Sequence, residues 1–143
     1  MHRSAWGRTL IAILLGGALA AAIPVLPAVG QDSPPHPVVD VGTGRLVAKG
    51  AAVDVPLEIT CNASRVEVFV TVTQRVSKGV AAGSGFASFG CTGSGQDVTV
   101  RVRASAAGKA FIRGNAVIEA EAFGCNRRLC GSETDSETVQ LRR

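Results

Sequence analysis

Four cysteines have the clearest chemistry by type and spacing in this chain: Cys61, Cys91, Cys125 and Cys130. An even count in a short exported chain indicates two disulfides, and four cysteines allow three pairings. The spacing favours Cys61–Cys91 with Cys125–Cys130, because a C-x4-C pair suits a bridge across a tight hairpin. A zinc site would need further ligands. We expect no metal, since His36 lies in a distant proline-rich segment.

The C-x4-C segment, Cys125-Asn126-Arg127-Arg128-Leu129-Cys130, is the most distinctive exposed feature. If the cysteines are bridged, Arg127, Arg128 and Leu129 are presented at a rigid tip. A loop that is ordered in advance loses less entropy on binding, so such a tip can recognise an acidic partner or an anionic surface. The simpler interpretation, which we favour, is a bridge that only fastens one end of a small domain.

Catalytic residues are not apparent. A hydrolytic triad needs a base beside its nucleophile, and His36 lies outside the folded region. Glu119 and Glu121 share one strand face, where solvated carboxylates are the expected interpretation. Three alternating acids follow further on, in a segment that we predict to be a polar hairpin connection with too few oxygens for calcium: Glu133, Asp135 and Glu137. We expect no enzyme and no cofactor.

The aromatic content and the charge exclude further classes. The chain has five phenylalanines, no tyrosine, and one tryptophan, Trp6, so it lacks the aromatic platforms on which sugar-binding modules commonly rely. The whole chain carries a net charge of +4. Removal of Arg3 and Arg8 with a signal peptide leaves +2, a weakly basic surface that predicts no nucleic-acid partner.

The N-terminal residues have the pattern of a secretory signal peptide, predicted at 1–30. Arg3 and Arg8 are followed by an apolar run from Leu10 to Ala22, and small residues end the segment at Ala28-Val29-Gly30. The run is short for a membrane span, although an uncleaved anchor stays an alternative. Residues 31–42 are predicted to be an extended, proline-rich tether. The protein is therefore expected to be secreted.

Residues 43–143 show the two-residue alternation of β-strands. Val53, Val55 and Leu57 alternate with polar residues, and Val66 to Thr73 is the clearest strand. Pro56 predicts an edge strand or a bulge, because proline donates no ladder hydrogen bond. Residues 115–123 suit a helix by composition but a strand by alternation, and we predict a strand. Six to eight short strands over about 100 residues predict an all-β, immunoglobulin-like sandwich of two antiparallel sheets.

Two resemblances agree with this fold. Ile59-Thr60-Cys61, the valine-rich strand ending at Gln74, and Cys91-Thr92-Gly93 resemble secreted actinobacterial immunoglobulin-like domains of unknown function. This resemblance covers most of the folded region and implies an exported sandwich without known activity. The C-x4-C pair is also similar to that of neocarzinostatin-type apoproteins, although here the first cysteine pair is 30 positions apart and no site is transferred.

We interpret the chain as a secreted, non-catalytic module that binds a protein or a cell-envelope component. A first alternative is a carrier of a small apolar ligand, held in a pocket lined by four phenylalanines: Phe86, Phe89, Phe111 and Phe123. A second alternative is a secreted enzyme inhibitor. A carrier requires a concave apolar pocket, an interaction module a flat or protruding patch, and an inhibitor a protruding, disulfide-braced loop.

Overall fold

Eight β-strands make up nearly all of the regular structure in the computed structural model, which describes residues 35–127 and 129–143. The predicted signal peptide and Arg128 lie outside the described residues. In chain order the strands are β1 (Val38–Val41), β2 (Arg45–Val47), β3 (Ala52–Thr60), β4 (Arg65–Val76), β5 (Gly79–Phe89), β6 (Gln96–Ala104), β7 (Gly114–Cys125) and β8 (Cys130–Leu141). A single-turn 3-10 helix, Ala48–Gly50, joins β2 to β3.

The strands are hydrogen-bonded into one antiparallel sheet in the order β1-β3-β6-β5-β4-β7-β8, with β2 also on β3. β5 pairs along its whole length with β4 but with β6 at two positions only. The two ends of the sheet approach each other, because Arg45 forms a parallel bridge with Arg142 and the Val41 N–H donates to Asp135 Oδ2 at 2.9 Å. The all-β prediction is confirmed; the division into two sheets stays a prediction.

Alternating apolar residues form the core. Val66, Val68, Val70 and Val72 of β4 are fully buried, as are Ile118, Ala120 and Ala122 of β7. The two strands are direct neighbours, so these side chains project together to one side of the sheet. Burying a valine or isoleucine side chain contributes about 1.5–3 kcal/mol. The strand predicted at residues 115–123 is therefore confirmed, and its alternation, not its helix-forming composition, decides its structure.

Pro56 was predicted to mark an edge strand or a bulge, and the first of these alternatives is wrong. β3 is internal, with β6 on one side and β1 and β2 on the other. On the second side the pairing is interrupted between Leu57 and Asp54, and Pro56 lies in that interruption, where its carbonyl accepts from the Gly42 N–H at 2.9 Å. A residue of a strand directs its N and O to the same side, so the missing N–H falls where no strand is paired.

Two further segments differ from their predicted structure. Val38–Val41, inside the predicted tether, is a strand that pairs with β3, and Val39 is buried. The acids Glu133, Asp135 and Glu137 lie in the middle of β8 instead of a hairpin connection. They are opposite the buried residues Ala122, Ala120 and Ile118 and so project toward the core side of the last strand. Charged residues that point inward on an edge strand discourage pairing with another chain.

β2 is a short strand of three residues. β2 ends at Val47, because Ala48 and Lys49 adopt positive φ angles of 48° and 57°, which extended backbone does not allow. Along the described stretches of chain, no helix has the length and apolarity that crossing a membrane requires.

Candidate binding surface

Both disulfides lie at one end of the sheet, which we call the disulfide end. Cys61 follows β3 and is bonded to Cys91, which follows β5, with a Cα–Cα distance of 5.7 Å. Cys125 and Cys130 are opposed residues of β7 and β8 and are bonded across that hairpin, with a Cα–Cα distance of 4.1 Å. The pairing that the spacing favours is the one found.

The tip between Cys125 and Cys130 is held by hydrogen bonds as well as by its disulfide. The Asn126 N–H donates to the Leu129 carbonyl at 2.9 Å, and the Leu129 N–H donates to Asn126 Oδ1 at 3.1 Å. Arg127 is exposed and Leu129 is half-buried. These contacts order Asn126 and Leu129 in advance of any partner and leave the Arg127 guanidinium accessible.

Three phenylalanines are exposed on the outer face of the sheet. Phe69 of β4, Phe86 of β5 and Phe123 of β7 are 51%, 53% and 42% exposed. Phe69 and Phe86 are directly opposed, with ring centroids 4.9 Å apart and the rings tilted, a favourable arrangement for two aromatic rings. An aromatic cluster of this kind on a soluble domain marks an interaction site more often than isolated apolar residues do.

The strand register joins these phenylalanines to the tip. Opposed residues in antiparallel strands share a face, and successive outward residues of β7 are Glu119, Glu121, Phe123 and Cys125. Phe123 is therefore next to the Cys125–Cys130 bridge, and Glu121 is opposed to Phe69. We name the surface formed by Phe69, Phe86, Phe123 and the tip the aromatic face.

Polar side chains lie among the phenylalanines of the aromatic face. Glu67 is opposed to both Phe123 and Ser88, and the Arg65 Nε donates to Ser88 Oγ at 2.7 Å. Glu119 and Glu121 are exposed on the same side. Because Glu121 is opposed to Phe69, Glu67 and Glu121 lie between Phe123 and the Phe69–Phe86 pair, and the face combines aromatic rings with carboxylates.

The phenylalanines of the predicted apolar pocket do not come together. Phe86 and Phe123 are on the outer face, whereas Phe89 packs partly buried against the core. Phe111 is buried at the other end of the sheet, beneath a concavity of about 650 Å³. The strand alternation separates residues that sequence proximity suggested as neighbours, so this set of residues cannot line one ligand site.

The end opposite the disulfides, which we call the basic end, contains a buried carboxylate. Asp54 is opposed to Arg45 on one side and Arg101 on the other. It accepts from Arg101 Nε at 2.7 Å and Nη2 at 2.9 Å, and Arg45 Nη2 is 3.8 Å away. The hydrogen bonds from Arg101 hold the pKa of Asp54 below its usual value, against the effect of burial.

Sequence reasoning did not single out Phe69 or Asp54. The one sequence signal for Phe69 is that it alternates with the buried valines of β4 and so faces outward. Its contact with Phe86 depends on the β4–β5 register, which the sequence does not give. Within residues 35–127 and 129–143, no three histidine, cysteine or acidic side chains are grouped to hold a metal ion.

No protein-family model matches the chain, and no curated protein matches it. Among solved structures, the chain is similar to AggA, the major subunit of aggregative adherence fimbriae type I from Escherichia coli. The identity is 10%, the TM-score is 0.41, and the match covers 78% of this chain and 97% of AggA.

Proposed function

We propose that this chain is an exported, non-catalytic, immunoglobulin-like module that binds a partner protein through the aromatic face. The observation that carries the proposal is the group of three phenylalanines, each about half exposed, beside a disulfide-braced tip. Fully burying a phenylalanine contributes about 1.5–3 kcal/mol, so completing the burial of each ring on binding adds about 1 kcal/mol.

The strand order supports the immunoglobulin-like assignment. In the immunoglobulin sandwich, strands A, B, E and D form one sheet and strands C, F and G form the other. The order β1-β3-β6 followed by β5-β4-β7-β8 resembles that arrangement, except that β5, the strand in the position of D, pairs along its length with β4. The two residue pairs between β5 and β6 make this the weakest junction in the sheet, where a division into two layers is easiest.

A protein fits the aromatic face better than the other partners considered. Phenylalanine is enriched in the cores of protein interfaces, and the face lies on a regular sheet instead of in a cleft that would enclose a small ligand. The carboxylates of Glu67, Glu119 and Glu121 beside these rings favour a partner that combines basic and apolar groups. They disfavour a second copy of this face, because a two-fold contact would bring like charges together.

We propose a non-catalytic module because the carboxylates of the aromatic face lie on an open sheet. The exposed carboxylates Glu119 and Glu121 are neighbours on one face of β7 and project from an open sheet to solvent. A general acid or base acts best in a site that excludes water and shifts its pKa. The open sheet provides no such enclosure.

A secreted enzyme inhibitor is a second candidate, favoured by the tip alone. The Cys125–Cys130 bridge and the two hydrogen bonds between Asn126 and Leu129 give a short loop that is fixed before binding. Preorganisation of this kind increases affinity. An inhibitor would be distinguished by a partner that is an enzyme and that loses activity in the complex.

Site-specific photo-crosslinking tests the proposal. A photoreactive phenylalanine analogue replaces Phe86 in the exported protein, and a matched control carries it at Thr99, an exposed residue of β6. We expect one defined protein to be cross-linked from position 86 and not from position 99. Phe69→Ser with Phe86→Ser should then weaken binding of that purified partner by at least about ten-fold.

The control for apolar exposure is Val38→Ser with Ile112→Ser, which removes two other half-exposed apolar side chains. Binding should be within about three-fold of the unaltered protein, because neither residue lies on the aromatic face. Equal losses in the two double variants, or the same cross-links from positions 86 and 99, would refute a role for the aromatic face.

A further inference from the structure

Basic residues gather at the end of the molecule farthest from the disulfides. Nine exposed lysines and arginines lie on the loops and strand ends there: Arg45, Lys49, Arg75, Lys78, Arg103, Lys109, Arg113, Arg142 and Arg143. Among the described residues, Asp54 is the one acidic side chain on these segments, and Arg101 and Arg45 already engage it. The small net charge therefore conceals a strongly one-sided distribution.

This segregation follows from the strand directions. β4, β6 and β8 end at the basic end, and β5 and β7 begin there, so cations at distant positions in the sequence become neighbours. Among the described residues, the remaining acids lie toward the middle of the strands or the disulfide end, for example Glu58 and Asp97, which are opposed residues of β3 and β6. Clustered cations produce a local potential that an average charge does not reveal.

A concavity of about 650 Å³ lies in the basic end. It is lined by residues 46–50, residues 111–113 and Arg143. Three of these residues are cations, Lys49, Arg113 and Arg143, and all three are exposed. No carboxylate side chain is among the lining residues, and none of these cations takes part in an ion pair between described residues. The cations are therefore available to an external anion.

Hydrogen bonds fix the walls of this concavity. The Phe111 N–H donates to the Gly50 carbonyl at 2.9 Å. The buried amide of Gln74 holds Ile112 on both sides, since Nε2 donates to the Ile112 carbonyl at 2.8 Å and the Ile112 N–H donates to Oε1 at 2.9 Å. Arg113, the next residue, is thereby held at the rim.

Backbone conformation positions Lys49. Ala48 and Lys49 have positive φ angles of 48° and 57°, and Gly50 follows at 90°. A side chain at position 50 would place its Cβ 2.1 Å from the Phe111 carbonyl oxygen, so this close approach requires glycine. Two consecutive non-glycine residues in the left-handed region are uncommon, and this turn directs the 48–50 segment along the concavity.

We propose that the basic end binds a linear polyanion with repeating phosphate or sulfate groups, one of which occupies the concavity between Lys49, Arg113 and Arg143. The other cations are spread over several strand ends, and neighbouring strands are about 4.8 Å apart. Cations that are spread in this way match a row of anionic groups. A single anion would instead be bound by cations that converge on one point. A flat bilayer would meet the protruding cations but would not fill the concavity. This inference is independent of the aromatic face.

Fluorescence anisotropy with a labelled polyphosphate of defined length tests the proposal on protein purified from culture supernatant. We expect affinity to fall steeply between 50 and 200 mM salt, on the order of ten-fold or more, because bound counterions are released. Lys49→Gln with Arg113→Gln should weaken binding by at least about ten-fold. The matched control, Arg65→Gln with Arg127→Gln, removes the same charge at the disulfide end and should change binding by less than about three-fold.

Three results would overturn the proposal. Equal weakening in the two double variants would mean that net charge alone is responsible. Displacement by inorganic phosphate at equal phosphate concentration would indicate a site for a single anion. Binding to anionic phospholipid vesicles with no binding of polyphosphate would identify a membrane surface as the partner. All the substituted side chains are exposed, and circular dichroism confirms that each variant is folded.

Discussion

Different interactions stabilise the two ends of this molecule. At the disulfide end, two covalent bonds fasten the loops after β3, β5 and β7. At the basic end, buried polar groups replace covalent bonds: Gln74 holds Ile112, and Asp54 holds Arg101. Each end is therefore ordered, but the two ends respond to different perturbations. Reduction acts on the first, and acid or loss of a hydrogen bond acts on the second.

The surfaces at the two ends also differ in chemistry. The aromatic face begins at the Cys125–Cys130 bridge and carries Phe123, Phe69 and Phe86, with carboxylates between Phe123 and the other two rings. The basic end carries Lys49, Arg113 and Arg143 around a concavity. One surface is suited to an apolar, directional contact and the other to a salt-dependent contact. The two proposed partners would therefore occupy separate surfaces.

Removal of the Cys61–Cys91 disulfide should have the largest effect on stability. Replacement of both cysteines with alanine frees a loop of 30 residues and should lower the free energy of unfolding by about 3–4 kcal/mol in the chain-entropy treatment. The same change at Cys125 and Cys130, which are 5 residues apart, should cost about 2 kcal/mol. Urea denaturation measures both. Equal losses would contradict the assignment of the first bridge as the main covalent constraint.

The strands could be predicted from sequence because their side chains alternate. Val66, Val68, Val70 and Val72 specify a buried face without any knowledge of their neighbours. The disulfide pairing could also be predicted from a local signal, the short C-x4-C spacing of Cys125 and Cys130. The edge-strand alternative for Pro56 was wrong because the interruption between β1 and β2 depends on three strands together and cannot be recognised from the residues of β3 alone.

The surfaces could not be predicted, because they depend on which strands become neighbours. Phe69 and Phe86 meet only through the β4–β5 register, and the cations meet only through the strand directions. Gln74 had a detectable signal, since it occupies the inward position after Val72, where a polar residue must find a buried partner. That partner, Ile112, is 38 residues away and has no sequence signature.

Loss of the Gln74 amide tests whether the basic end depends on buried polar groups. Gln74→Leu leaves the N–H and the carbonyl of Ile112 without partners and should lower the free energy of unfolding by about 1–3 kcal/mol. The matched control is Gln140→Leu, at an exposed residue bonded to Asn115, where a change within about 0.5 kcal/mol is expected. Thermal denaturation of both variants gives the comparison. Similar losses would show that the Gln74 amide contributes nothing particular.

Acid should destabilise the basic end through Asp54, and this effect should be smaller than that of Gln74→Leu. The pKa of this carboxyl is lowered in the folded protein by the hydrogen bonds from Arg101, so its stabilisation is complete above the unfolded value of about 3.9 and is lost as the pH falls through the lower folded value. Asp54→Asn should cost about 1–2 kcal/mol at pH 7, and the difference from the unaltered protein should shrink between about pH 5 and pH 2. Asp97→Asn, at an exposed position of β6, is the matched control and should change the free energy of unfolding at pH 7 by less than about 0.5 kcal/mol. A difference for Asp54→Asn that stays constant with pH would show that the carboxylate charge does not stabilise this end.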